Sequence, residues 1–273
     1  MNMGLQRGLA RIHRARDARR DSRRNSRGVW PEGRSAALSL TFDDARSSQV
    51  RVGVPALDRL GVAATFFVLP DAVATEATAW REATAAGHEI GNHTARHPCS
   101  GNFAWSRGRA LEEYTLDAFR DEIDDADRRI HDLLGLRPTV FAYPCGHTFV
   151  GRGRETRSLV PLVAERFVAG RTFNDVTANA PLHCDLAQVA GVNSDGLEFA
   201  RVCTLLEAAL ADHAWLVLGG HEIGVATGDE TTTTDTIASV VRWCRDHDVW
   251  IDTVGAVARH LRAVAVTRAD QPG

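Results

Sequence analysis

Apolar residues fall into two alternating rhythms along this chain. Short, nearly continuous apolar runs at 37–42, 63–69, 88–93, 139–144, 166–172, 214–220 and 249–254 predict buried strands. Between them the spacing predicts helices over 48–60, 75–87, 116–135, 156–165, 197–212 and 232–247. In the third of these, Leu116, Phe119, Ile123, Ala126, Ile130 and Leu133 recur at three- and four-residue intervals, which leaves one apolar face to be packed. Strand and helix alternating about seven times imply an α/β fold with a largely parallel sheet, which closure into a (β/α) barrel would leave without edges. Working residues in such folds sit beyond the C-terminal ends of the strands.

No repeat or low-complexity linker divides the chain, so one catalytic domain is expected over 35–264, followed by a short tail, 265–273. The Arg-rich stretch 1–34 has no apolar run of the length a signal peptide or membrane span needs. It reads as a disordered basic extension or as a start placed too far upstream. A formal charge of -3 gives no reason to propose nucleic acid or an anionic membrane as partner. The five cysteines are scattered, with no CxxC pair, and suggest a reduced, cytoplasmic protein in which Cys145 is a small buried hydrophobe. The oligomeric state is not set by the sequence.

Candidate chemistry collects at strand ends. The first strand runs into Asp43 and Asp44, which a regular strand would point to opposite faces. Taken alone the pair reads equally as a helix N-cap. The third predicted strand leads into "HTARH", where His93 and His97 stand four apart. Two imidazoles and a carboxylate make a three-ligand metal site with positions left open. The stretch "FAYPCG" shapes a loop with Pro144 and Gly146, and "LVLGGH" presents His221 past an apolar run. Asp195 in "GVNSDG" is either a partner that sets the tautomer of His221 or part of an ordinary turn. The segment after the histidines carries Trp105, Arg107 and Arg109, candidates for stacking on a sugar and pairing with a substrate anion, or simply a packing loop.

Together "TFDDA", "HTARH", "FAYPCG" and "LVLGGH" resemble the motifs of the NodB-type polysaccharide deacetylases, carbohydrate esterase family four, in the branch with a FAYP-type third motif. The resemblance spans about Leu38 to His221 and implies a distorted (β/α) barrel with one divalent metal. Zinc is favoured, although cobalt, nickel or manganese would suit the same ligands. It implies that Asp44, His93 and His97 hold the metal, that Asp43 is general base towards water and that His221 protonates the leaving amine. The backbone amide near Cys145, with Tyr143 beside it, would face the oxyanion. Thr94 would orient a neighbour of the metal or serve a local turn. Many members have an arginine that orients the base where this chain has Ala142, so another group must steady Asp43 or none does.

The expected function is metal-dependent removal of an N-acetyl group from a sugar or aminosugar conjugate, with a small-molecule or oligosaccharide substrate. With no secretion signal in view, an intracellular glycoside is expected over an extracellular polymer. The alternatives are a ring-opening amidohydrolase acting on a cyclic imide or allantoin-like compound, and an inactive metal-binding member.

Overall fold

The computed structural model describes residues 28–269. Its main sheet contains β1 (Ala36–Asp43), β2 (Thr65–Val68), β3 (Glu89–Asn92), β4 (Val140–Ala142), β5 (Ala169–Arg171), β6 (Val192–Asn193), β7 (Trp215–Gly220) and β8 (Val249–Ile251). The helices are α1 (Val54–Leu60), α2 (Pro70–Thr75), α3 (Ala77–Ala85), α4 (Leu116–Leu134), α5 (Val160–Arg166), α6 (Phe199–Asp212), α7 (Thr234–Asp246) and α8 (Val254–Ala269). None is long and apolar enough to cross a membrane.

All pairings in this sheet are parallel, in the order β5-β4-β3-β2-β1-β7-β6, with β8 beside the first residues of β1. Seven of the strands form a curled half-barrel, the architecture that the alternation implied. The curl is drawn together where Val189, just ahead of β6, bridges to Arg171 at the end of β5. Both faces of β1 are covered, which is why its sequence is an apolar run rather than an alternation. Leu38, Leu40 and Phe42 pack with Leu57, Leu206 and Val240 of the surrounding helices, whereas Ala37 joins Trp215, Val217 and Val257 on the other side.

Helix α4 has the apolar face predicted for it, burying Phe119, Ile123, Ala126 and Ile130. Thr115 caps its first turn by accepting from the Ala118 amide, and Gly135 ends it in the left-handed conformation. Three predicted helices are shorter or divided, each for a local reason. The stretch 48–60 begins as a π turn over Gln49–Gly53, where Gly53 lies against Ile223 so closely that a Cβ would meet its Cδ1 at 2.3 Å. The stretch 75–87 breaks at Glu76, whose carboxylate is drawn aside by Ser47 and Arg51. The last, 156–165, starts only at Val160, placing Pro161 in the first turn, where its missing N–H costs nothing.

The domain also begins earlier than its sequence suggested. Val29 and Trp30, assigned there to the basic extension, are buried in the core, and the Trp30 indole donates to the His213 carbonyl at 3.0 Å. Residues 1–27 lie outside the described residues. At the other end α8 continues through Ala269, past the boundary drawn at 264.

Trp30→Ala should lower the stability of the domain by ~3–5 kcal/mol, as for other buried aromatic truncations. Urea unfolding checks this; a midpoint equal to wild type would detach Trp30 from the core.

Candidate active site

The two carboxylates reach one cavity because the chain leaves strand geometry between them. Asp43 is the last residue of β1, and Asp44 and Ala45 then take φ of 74° and 55°. Thr94, His97 and Cys145 also have positive φ, at 68°, 54° and 53°. Non-glycine residues avoid this region, so its concentration here is strain sustained by the surrounding contacts.

Asp44, His93 and His97 come together as the sequence suggested. Asp44 Oδ1 lies 3.7 Å from the Nε2 atoms of both histidines. His93 Nδ1 donates to the Ala142 carbonyl at 2.8 Å, which directs Nε2 towards Asp44. Burial, with the neighbouring His93, pushes His97 down to about 4, so this imidazole is neutral. Asp44 Oδ1 is buried and has no hydrogen-bond partner. An orphaned carboxylate oxygen facing two imidazole nitrogens fits a divalent cation.

The loop that carries the histidines is fastened from below. Thr94 Oγ1 accepts from the His97 amide at 3.0 Å, and the Thr94 amide donates to Asn92 Oδ1 at 2.7 Å. Glu122, buried on α4, accepts from the Arg96 amide at 3.0 Å, from the Arg96 guanidinium at 2.6 Å and from the Tyr114 hydroxyl at 3.0 Å. Thr94 thus bonds within the turn that carries His97.

The steadying group for Asp43 is Arg171, at the end of β5. Its guanidinium donates to both Asp43 oxygens from a side chain with no solvent exposure. It is held between the rings of Phe67 and Phe173, at 4.9 and 5.2 Å. Gly219 makes this possible, since a Cβ there would lie 2.6 Å from the Phe173 ring. Burial pushes the Asp43 carboxyl up, but Arg171, His93 and His221 outweigh it and hold it below its ordinary range. The run predicted at 166–172 carries an arginine, Arg171, as its next-to-last residue, the one sign in the sequence that a charge is buried there.

His221 is gripped twice by Asp195, through its amide at 3.0 Å and through Nδ1 at 2.6 Å. Burial pushes the imidazole down, yet Asp195, Asp43 and Asp44 together bring it up to about 9. Gln49, which the sequence did not single out, donates to the carbonyls of Asp43 and His221 at 2.6 and 2.7 Å and ties the two motifs together.

Asp43, Asp44, His93, His97 and His221 line a cavity of about 860 Å³ with Phe103, Trp105, Arg109 and Cys145. Three expectations change. Tyr143 is core, not pocket, with its hydroxyl on the Ala187 carbonyl at 2.8 Å. Arg107 turns away into a separate cleft beside Glu112 and Arg152. Cys145 is not a lone buried thiol but is bonded to Cys99, 46 residues away. Such a separation carries no spacing signal, and the bond removes the cysteine argument for a reducing compartment. Cys184, Cys203 and Cys244 are free.

Two stability measurements follow. Breaking a loop closure of 46 residues with Cys99→Ser and Cys145→Ser should cost about 4 kcal/mol on the chain-entropy account, read from urea unfolding. A double variant as stable as wild type would contradict the cross-link. For metal-free protein, the contribution of the Asp195–His221 pair is full below pH about 6.5 and is lost as pH rises through about 9, because the folded-state pKa is raised. The stability gap to Asp195→Asn should therefore shrink across that window; a gap that widens there refutes the assignment.

Comparison with known proteins agrees with this geometry. A family model described as polysaccharide deacetylase matches residues 31–158, just under half of the chain. That span holds Asp43, Asp44, His93 and His97 but stops before Arg171, Asp195 and His221. A gellan lyase from a Bacillus species is 28% identical over 145 residues, 52% of this chain and 5% of that protein. The peptidoglycan-N-acetylglucosamine deacetylase PgdA of Listeria monocytogenes is 31% identical over 110 residues, 40% of this chain and 21% of that protein. The chain thus spans a minor share of both relatives. In fold it is similar to a solved Mycobacterium smegmatis protein provisionally assigned as a polysaccharide deacetylase, with TM-score 0.60 and 18% identity over 86% of this chain and 93% of that one. The family model thus matches the segment that carries Asp43, Asp44, His93 and His97, and the solved structure shares the fold.

Proposed function

We propose that this chain is a metal-dependent deacetylase that hydrolyses the N-acetyl group of a carbohydrate, releasing acetate and a free amine. The observation that carries the reading is the pairing of an Arg171-held carboxylate with an Asp195-held imidazolium in the cavity that the Asp44, His93 and His97 set lines. Groups whose surroundings push their pKa values apart divide the roles of base and acid between them. The third motif, with Ala142 in place of an arginine, suits the FAYP-type branch.

Asp44, His93 and His97 would hold the metal, zinc by preference. A divalent ion there polarises the amide carbonyl and lowers the pKa of water. Asp43, ionised and fixed by Arg171, takes a proton from the attacking water as its oxygen bonds to the carbonyl carbon. The Cys145 amide is the candidate donor to the oxyanion. His221 then gives its proton to the nitrogen as the C–N bond breaks, and Asp195 stabilises the imidazolium until that moment. An acid already protonated at neutral pH suits the poor amine leaving group.

Acetate release should fall ~10²–10⁴-fold in Asp43→Asn while the metal content stays at the wild-type level. Asp44→Ala should lose both. Full turnover by Asp43→Asn would remove it as the base. Asp195→Asn should move the alkaline limb of kcat/KM to lower pH, because the charged acceptor that raises His221 is gone; an unmoved limb would show that His221 is not the acid.

A further inference from the structure

Asp44 divides its two oxygens between different partners. Oδ1 faces His93 and His97, each at 3.7 Å, and has no donor. Oδ2 accepts from the Arg46 guanidinium at 3.1 Å. The left-handed residues Asp44 and Ala45 fold the chain back on itself, which lets a side chain only two positions on reach that oxygen. Beyond it Glu230, in the segment between β7 and α7, stands 3.7 Å from the same guanidinium nitrogen. The Glu230 carbonyl accepts from the Glu222 amide at 2.8 Å, which fixes that segment. Arg46, Asp44 and Glu230 all line the cavity of the reacting groups.

This contact differs from an ordinary surface ion pair. The Asp44 side chain is 15% exposed, and Arg46, 41% exposed, keeps its Nε atom buried without a partner. A freely chosen surface rotamer would avoid that cost. The χ2 torsion of an aspartate is broad and nearly two-fold, so hydrogen bonds decide which oxygen points where. With Oδ2 occupied, Oδ1 alone is turned towards the imidazoles. With Oδ2 free, both oxygens could swing onto a divalent cation, as carboxylates do in two-oxygen ligation. The guanidinium charge also repels a cation, but it sits on the far oxygen and is open to solvent, where screening weakens it. Orientation is therefore the larger effect.

We propose that Arg46 is a positioning residue for the cation: by taking up Asp44 Oδ2 it restricts Asp44 to ligation through Oδ1 and keeps the remaining coordination positions open. This rests on the reading that Asp44, His93 and His97 hold a divalent ion, and the test separates the two.

Zinc affinity is measured on metal-stripped wild type, Arg46→Met and Asp44→Ala by competition with a chromophoric chelator, with Co2+ absorption spectra and urea unfolding on the same preparations. In Arg46→Met the Kd for Zn2+ should rise ~10–100-fold, the usual effect of removing a partner that orients a ligand. The visible bands of bound Co2+ should shift as the second carboxylate oxygen enters. The urea midpoint of the metal-free variant should stay at the wild-type value, because a part-exposed ion pair contributes little to folding. Zinc binding as tight as wild type or tighter, or an unmoved Co2+ spectrum, overturns the positioning role. So does a loss of metal-free stability that matches the loss of affinity, which would make Arg46 a brace for the fold. If Asp44→Ala binds zinc as wild type does, the ligand set itself falls; if Asp44→Ala loses zinc while Arg46→Met keeps it in full, the ligand set stands and only the role of Arg46 falls.

Discussion

The buried ion pair between Arg171 and Asp43 is the contact on which the site depends. A carboxylate with almost no solvent exposure is tolerable only with a charge partner in good geometry. Here the partner comes from β5, 128 residues along the chain and across the curl from β1. Bringing it there requires the strands to wrap, the small residue at Gly219 and the two flanking rings of Phe67 and Phe173. The fold thus supplies from another strand what Ala142 cannot supply from the third motif.

Fixing Asp43 in this way frees its neighbour for different work. The left-handed turn at Asp44 swings the second carboxylate towards His93 and His97, leaving one oxygen without a donor. Charge then varies across the site, from an ionised carboxylate to the neutral imidazole of His97 to an imidazolium held by Asp195. Hydrogen bonds from secondary positions maintain this gradient, with Gln49 joining the first and last motifs and Glu122 supporting the histidine loop.

Much of this was legible in the sequence because strand, helix and ligand spacing are local properties. The apolar runs located the sheet, the periodicity of α4 located its buried face, and the pair His93 and His97 joined Asp44 as their separation suggested. What escaped was set by partners distant in the chain. Arg171 looked like a strand terminus until the curl placed it on Asp43. Cys99 and Cys145 gave no pairing signal across 46 residues. Tyr143 and Arg107 stand two residues from side chains that line the cavity, yet packing turned one into the core and the other into a different cleft. The same long-range packing drew Trp30 into the domain from an otherwise polar, Arg-rich stretch.

The central claim, that a distant arginine keeps Asp43 working as a base, is tested most directly in Arg171→Met. Metal content and acetate release would be measured on the same folded, metal-loaded sample. Bound metal should stay at the wild-type level while turnover falls at least ~100-fold, the lower end of what a positioned base contributes. Turnover at the wild-type rate would contradict it.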